Sequence, residues 1–229
     1  PTNWHVPYLG DTLVAWFDAN DDCSITQSGG TVSQWDDKSG NGYHATQSTP
    51  SLEPTYTASD ALMNSMPSIG NAAGTADVGL ITPSFGAQHV YAVCYFDDGA
   101  TTPSIFSTLL GGPGGNSAFR IMTHASGGWI GTSNFNNNGS FINGYPDDST
   151  SNLAPIPASV WQFKSTASRT QTWSIGYFQI SSMRAWKGAY SEFIFTDGTE
   201  SATTQEAIVG YLAHKWGTEG NLVPGHLWE

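Results

Sequence analysis

The chain has 229 residues, 13% aromatic and only 11% charged, with seven cations set against nineteen carboxylates for a formal net charge of −12. This length suits a single all-β domain spanning 1–229 with a full core, and a charged share well under the roughly 25% of ordinary domains points to short aromatic strands and many turns. The negative excess repels phosphate backbones and anionic lipid faces, and no apolar run approaches the length of a membrane span, so neither nucleic acid nor membrane insertion is expected.

The first residues, Pro1-Thr2-Asn3-Trp4, lack the basic and apolar regions of a signal peptide, and a leading Pro would follow from removal of an initiator Met. Strands are predicted at 13–17 and 32–35, where apolar and aromatic residues are bounded by turn formers. The two turns beside them crowd oxygen ligands together: Asp18, Asn20, Asp21 and Asp22 in one, Asp36 and Asp37 in the other. Ca²⁺ is the hard cation that suits such a set, and Asp18, Asn20, Asp21, Asp36 and Asp37 are its candidate ligands. The same residue types also build Asx-turns without metal, so both readings stand. Cys23 lies in this turn-rich stretch and Cys94 in an apolar strand, without zinc or redox spacing, and they read as two unpaired thiols, with a disulfide between them as the alternative.

Further strands are predicted at 78–81 and at 89–96, where Val90, Ala92, Cys94 and Phe96 share the face expected to meet the core and His89, Tyr91 and Tyr95 share the other. Runs at 105–110, 119–123, 129–132, 160–164, 172–180 and 190–195 continue the pattern, and connections this short imply antiparallel pairing. Segments 111–115 and 134–151 read as loops. On the strand at 190–195, Glu192 reads as a solvent-facing partner of Phe193 and Phe195. One helix is predicted near the end, opened by a capping box at Thr203-Thr204-Gln205-Glu206, with Ile208, Val209, Leu212 and Trp216 on its apolar face and Gly217 as its stop. It is expected to cover a sheet edge or close one end of a sandwich.

The stretches Leu13-Val14-Ala15-Trp16-Phe17-Asp18-Ala19-Asn20-Asp21, Val32-Ser33-Gln34-Trp35-Asp36-Asp37-Lys38-Ser39-Gly40-Asn41-Gly42 and His44-Ala45-Thr46-Gln47 resemble the opening of laminin G-like, concanavalin A-like domains. At the far end, Gly188-Ala189-Tyr190-Ser191-Glu192-Phe193-Ile194-Phe195, the helix closing on Trp216-Gly217, and Leu222-Val223-Pro224-Gly225-His226 resemble the same family's closing strand, helix and tail. The resemblance implies a jelly-roll sandwich of two antiparallel sheets with one accessory helix. Domains of this family occur in bacterial secreted and surface proteins and in phage virion proteins, often as carbohydrate-binding or adhesive modules.

Enzymes of this sandwich are mostly glycoside hydrolases that resemble one another in an E-x-D-x-E strand, and the chain has no such run. Nor does it contain G-x-S-x-G, a phosphate-binding loop, or zinc-spaced histidines. No catalytic residue is therefore nominated. Sugar binding needs flat aromatic faces flanked by amides and hydroxyls, and Trp129, Asn134, Phe135, Asn136, Asn137, Asn138 and Tyr145 supply those types around one Asn-rich loop. The expectation is a non-enzymatic module that binds a glycan or surface polysaccharide on an extracellular or virion surface. A structural virion subunit, assembled with other subunits or as an oligomer, is the alternative, and a polysaccharide hydrolase or lyase is a third reading.

Overall fold

The computed structural model describes residues 9–70, 78–97, 107–113, 121–123, 129–131, 139–147, 155–177 and 185–228, with the backbone alone at Asp11, 121–123, 129–131 and Asp147. The fold is mainly β, with antiparallel pairing throughout the named strands and one long helix. In chain order the strands are β1 (Leu13–Asp18), β2 (Ile25–Ser28), β3 (Thr31–Trp35), β4 (Ala45–Thr46), β5 (Thr55–Asp60), β6 (Met66–Gly70) and β7 (Leu80–Phe96). Then come β8 (Ser107–Gly111), β9 (Ile121–Thr123), β10 (Trp129–Gly131), β11 (Ser140–Ile142), β12 (Tyr145–Asp147), β13 (Ile156–Ile175), β14 (Gly188–Thr196) and the helix α1 (Ala202–Lys215).

The all-β sandwich with a C-terminal helix is as expected, but hydrogen bonds run on without a break through 14 strands rather than stopping between two separate sheets. The reason lies in β7 and β13, two long partners whose register slips between Lys164 and Arg169 and again between Thr172 and Ser174. Such irregularities bend and twist paired strands, which lets one pair run from one layer into the next.

The core is an aromatic cluster. Phe17 of β1, Trp35 of β3, Phe85 of β7, Trp173 of β13 and Phe193 and Phe195 of β14 are all buried, and their rings meet at centroid distances between 5.2 and 6.2 Å. Full burial of each such side chain stabilises the fold by roughly 1.5–3 kcal/mol. Alternation along β14 turns Glu192, Ile194 and Thr196 to the opposite face, yet every residue of that strand is buried. The covering element is α1, whose Ile208, Val209 and Leu212 are buried as the helical periodicity predicts, together with Trp216 just past its end.

Three expectations are corrected here. Glu192 does not face solvent, because α1 lies across its side of the sheet. The helix is capped by Ser201 rather than by a box starting at Thr203: the Ser201 hydroxyl accepts from the Thr204 amide at 3.1 Å. Part of the supposed 134–151 loop is a hairpin, β11–β12, closed by Asn143 and Gly144 with φ of 53° and 82°. Two successive positive-φ residues match the type I′ turn that Asn-Gly favours between antiparallel strands. Cys94 is buried and Cys23 exposed, both as free thiols. Among the described residues, no helix is long and apolar enough to cross a membrane.

Candidate binding cleft

Of the residues expected to contact a ligand, Asn134, Phe135, Asn136, Asn137 and Asn138 lie outside the described residues, and Trp129 is described only by its backbone, in β10. Tyr145 is exposed on β12 opposite Ile142 of β11. Its cross-strand partner shares its face of the hairpin, so Tyr145 and Phe141 point to opposite faces.

The expected calcium ligands are drawn into other work. The Asp18 and Asp21 carboxylates meet on an ammonium, each 2.9 Å from Lys38 Nζ, and Asp18 also pairs with Lys215 at 2.8 Å. Burial pushes the Asp18 carboxyl up, but Lys215 and Lys38 outweigh it and its pKa is lowered. Asp37 accepts from the amides of Trp16, Ser39 and Tyr43, which makes it the organiser of a turn. Asp36 accepts from Gln34 and lies 3.1 Å from His44, while Asn20 gives its backbone amide to Asp18. The five therefore form no common oxygen cage. Asp21, Asp22 and Cys23 do bring ligand atoms within 4.8 Å of one another at the surface, but a thiol is a poor ligand for Ca²⁺, which takes oxygen.

What the fold does build is a cleft of about 210 Å³. Its floor is Gln162 and Lys164, two residues apart on one face of β13. One wall is the β11–β12 hairpin through Phe141 and Gly144, the other is the start of α1 through Ala202, Gln205, Glu206 and Val209, and the tail from Val223 to His226 closes the end. The hairpin is held in place from both sides: Asn143 Oδ1 accepts from the Val160 amide at 2.8 Å, and Asn143 O accepts from the Val223 amide at 2.9 Å.

Beneath the floor, pairing between β13 and β7 sets Gln162 beside Tyr91 and Lys164 beside His89. These are the residues of the β7 face expected to lie away from the core, and both His89 and Tyr91 are buried by Glu200, which precedes α1. Glu200 Oε2 accepts from the Tyr91 hydroxyl and lies 3.0 Å from His89 Nδ1. Burial raises the Glu200 carboxyl, yet the contacts with His89 and Tyr91 at Oε2 help to outweigh burial and its pKa is lowered. Burial, with the Glu200 charge adding to it, lifts the Tyr91 hydroxyl far above its ordinary value.

Gln162 Nε2 donates to Tyr91 Oη and to Gln205 Oε1, both at 3.2 Å, and Gln205 Nε2 donates to Glu200 O at 3.1 Å. The amide of Gln162 is thus oriented by the network below it. Lys164 Nζ stands 4.2 Å from the centroid of the Phe141 ring, a cation–π contact. An aromatic ring, an oriented amide, an ammonium and a carboxylate, Glu206, converge on one small concavity. Its volume is under the roughly 300–1,000 Å³ of pockets that hold drug-sized ligands, so it suits one sugar-sized group. Sequence patterns pointed to the Asn-rich loop and missed this cleft, whose parts come from four separate segments. The Asn-Gly pair at 143–144 was the one local signal that a hairpin stands there.

No family model matches the chain, and no curated protein does. Two solved structures do match, both of Trypanosoma rangeli sialidase. One is in complex with 2-keto-3-deoxy-D-glycero-D-galacto-2,3-difluoro-nononic acid, at 11% identity and a TM-score of 0.46, covering 92% of this chain and 33% of that one. The other, a covalent intermediate with 2,3-difluorosialic acid, has 11% identity and a TM-score of 0.44, covering 92% of this chain and 34% of that one. The chain thus spans about a third of the length of these proteins, at a likeness too low to carry function across.

Proposed function

We propose that the protein is a non-catalytic, lectin-like binding module of the laminin G type that holds a glycan in the cleft between β13, the β11–β12 hairpin and α1, on an extracellular or virion surface. The observation that carries this reading is the pre-organised floor: Gln162 is only 4% exposed, and its amide is fixed by Tyr91 and Gln205 before any ligand arrives. A fixed amide beside the Phe141 ring is the combination a sugar needs, with polar groups for its hydroxyls and an apolar face for its C–H surface.

Binding rather than hydrolysis is favoured by how the carboxylates are used. Hydrolysis by the usual route needs two carboxyl groups flanking the scissile bond. Glu206 lines the cleft, whereas Glu200 is buried with its Oε2 committed to His89 and Tyr91.

The test is a glycan array of neutral and acidic oligosaccharides with the full chain, followed by calorimetry on the hits. Phe141→Ala and Gln162→Ala are expected to weaken a hit at least fivefold each, and reducing-sugar release is expected to be nil. An empty array, or hits indifferent to both substitutions, removes the cleft from consideration.

A further inference from the structure

We infer that the cleft is selective for a saccharide carrying a single carboxylate, and that Lys164 is the residue that pairs with it. This inference rests on the glycan-binding reading above.

In a chain of seven cations and nineteen carboxylates, a lysine has many possible partners. Lys38 is paired with Asp18 and Asp21, and Lys215 with Asp18 and Glu192, all within 2.9 Å. Lys164, by contrast, lines the cleft with no carboxylate in ion-pair reach among the described residues, and its ammonium rests on the Phe141 ring. Burial lowers its pKa, and the charge of Glu200 beneath the floor compensates only in part. A cation that has lost part of its water without gaining an ion pair is a place where an arriving carboxylate gains.

Two neighbours sharpen the choice. Ala202, the first residue of α1, lines the same cleft, so the positive end of the helix dipole adds to the field at Lys164. Glu206 lines it as well and repels further negative charge. A ligand with one acid group and an otherwise neutral surface fits this arrangement, and a densely sulfated chain does not. Gln162, two residues from Lys164 on the same face, is placed to meet a hydroxyl beside that acid. The chemical class is a uronic-acid-type sugar, at a chain end or as one residue of a chain.

The experiment is calorimetry of the full chain with gluco-, galacto- and mannuronate trisaccharides, each run beside its carboxyl-reduced, neutral counterpart. The expected result is at least one pair in which the acid binds tenfold or more tightly than its neutral twin, with the preference shrinking as salt rises. Lys164→Gln is expected to bring the ratio of acid to neutral affinity to about one, whatever it does to neutral-sugar binding itself, and Lys164→Arg to restore part of that ratio, which separates a charge role from a folding defect. Equal binding of acid and neutral members overturns the inference and leaves the glycan reading standing. A preference that survives Lys164→Gln also overturns it. If no saccharide binds, acidic or neutral, both fall together. Tighter binding of heparin-like sulfated chains than of any uronate would assign the cleft to polyanions and sink the single-carboxylate selectivity.

Discussion

Glu192 is fully buried and accepts from four donors, Trp16 Nε1, Tyr211 Oη, Lys215 Nζ and Trp216 Nε1, at 2.8, 3.2, 2.7 and 2.5 Å. Removing one partner of such a buried ion pair strands the rest, at a cost of about 3–5 kcal/mol. Glu192→Leu is expected to lose that much in urea unfolding, and a loss under about 1 kcal/mol would show that water reaches the orphaned donors. Glu200 gives a pH-dependent counterpart. Its native pKa lies below the ordinary 4.5, so its stabilisation is present above that value and is lost as pH falls through the native one. The stability gap between the wild type and Glu200→Gln is therefore expected to narrow below pH 4.5, measured as urea midpoints across pH. The two cysteines divide by position: one thiol, Cys23, is expected to react with a disulfide reagent in the native protein, and both after unfolding. The charges of Asp22 and Asp21 raise the Cys23 pKa, so its rate should still be climbing at alkaline pH. At these positions residue type was legible in the sequence and environment was not. Alternation put Glu192 on the face away from Phe193, but only the docked helix shows that this face is dry.

The β11–β12 hairpin is the element on which the cleft depends. Asn143→Ala leaves the buried Val160 amide without its acceptor, which costs about 1–3 kcal/mol. Gly144→Ala is expected to be worse, because a Cβ there would sit 2.8 Å from Val223 Cγ1 on a backbone with φ of 82°. Both variants should weaken ligand binding along with stability, read by calorimetry and thermal melts on the same samples. Two strands missed in the sequence share a physical reason. β5 is mostly exposed and reads Thr-Tyr-Thr-Ala-Ser-Asp, and β2 buries only Ile25. Neither carries a period-two apolar pattern, since backbone pairing with neighbouring strands holds them rather than a buried face. The second half of β7, buried on both faces, stands out instead as a nearly continuous apolar and aromatic run.

Across the whole molecule, long-range pairing dominates, as in Val160 with Val93 and Phe193 with Phe17. Folds rich in such distant partners close costly loops before gaining contacts and fold in milliseconds to seconds. Stopped-flow refolding followed by tryptophan fluorescence should lie in that range, since Trp35, Trp161, Trp173, Trp186 and Trp216 are all buried. The C-terminal helix belongs to this same cooperative unit. Ending the chain before Ser201 would expose the face of β14 that Leu212 and Trp216 cover and would leave Glu192 without three of its donors. Loss of the cooperative thermal transition, seen by near-ultraviolet circular dichroism, is the expected outcome.

Local chemistry was enough to read the all-β class, the antiparallel pairing, the single helix with its apolar stripe, and the absence of the E-x-D-x-E strand. Each of these follows from residue periodicity, turn formers and charge within a few positions. The cleft was beyond that reach, because Phe141, Gln162, Lys164 and Gln205 meet only when a hairpin, a long bent strand and the start of a helix pack together. The same holds for the acidic turns, where the cation facing Asp18 and Asp21 proves to be Lys38. Which charge ends beside which is settled by chain crossings between distant segments, and spacing along the sequence carries no record of them.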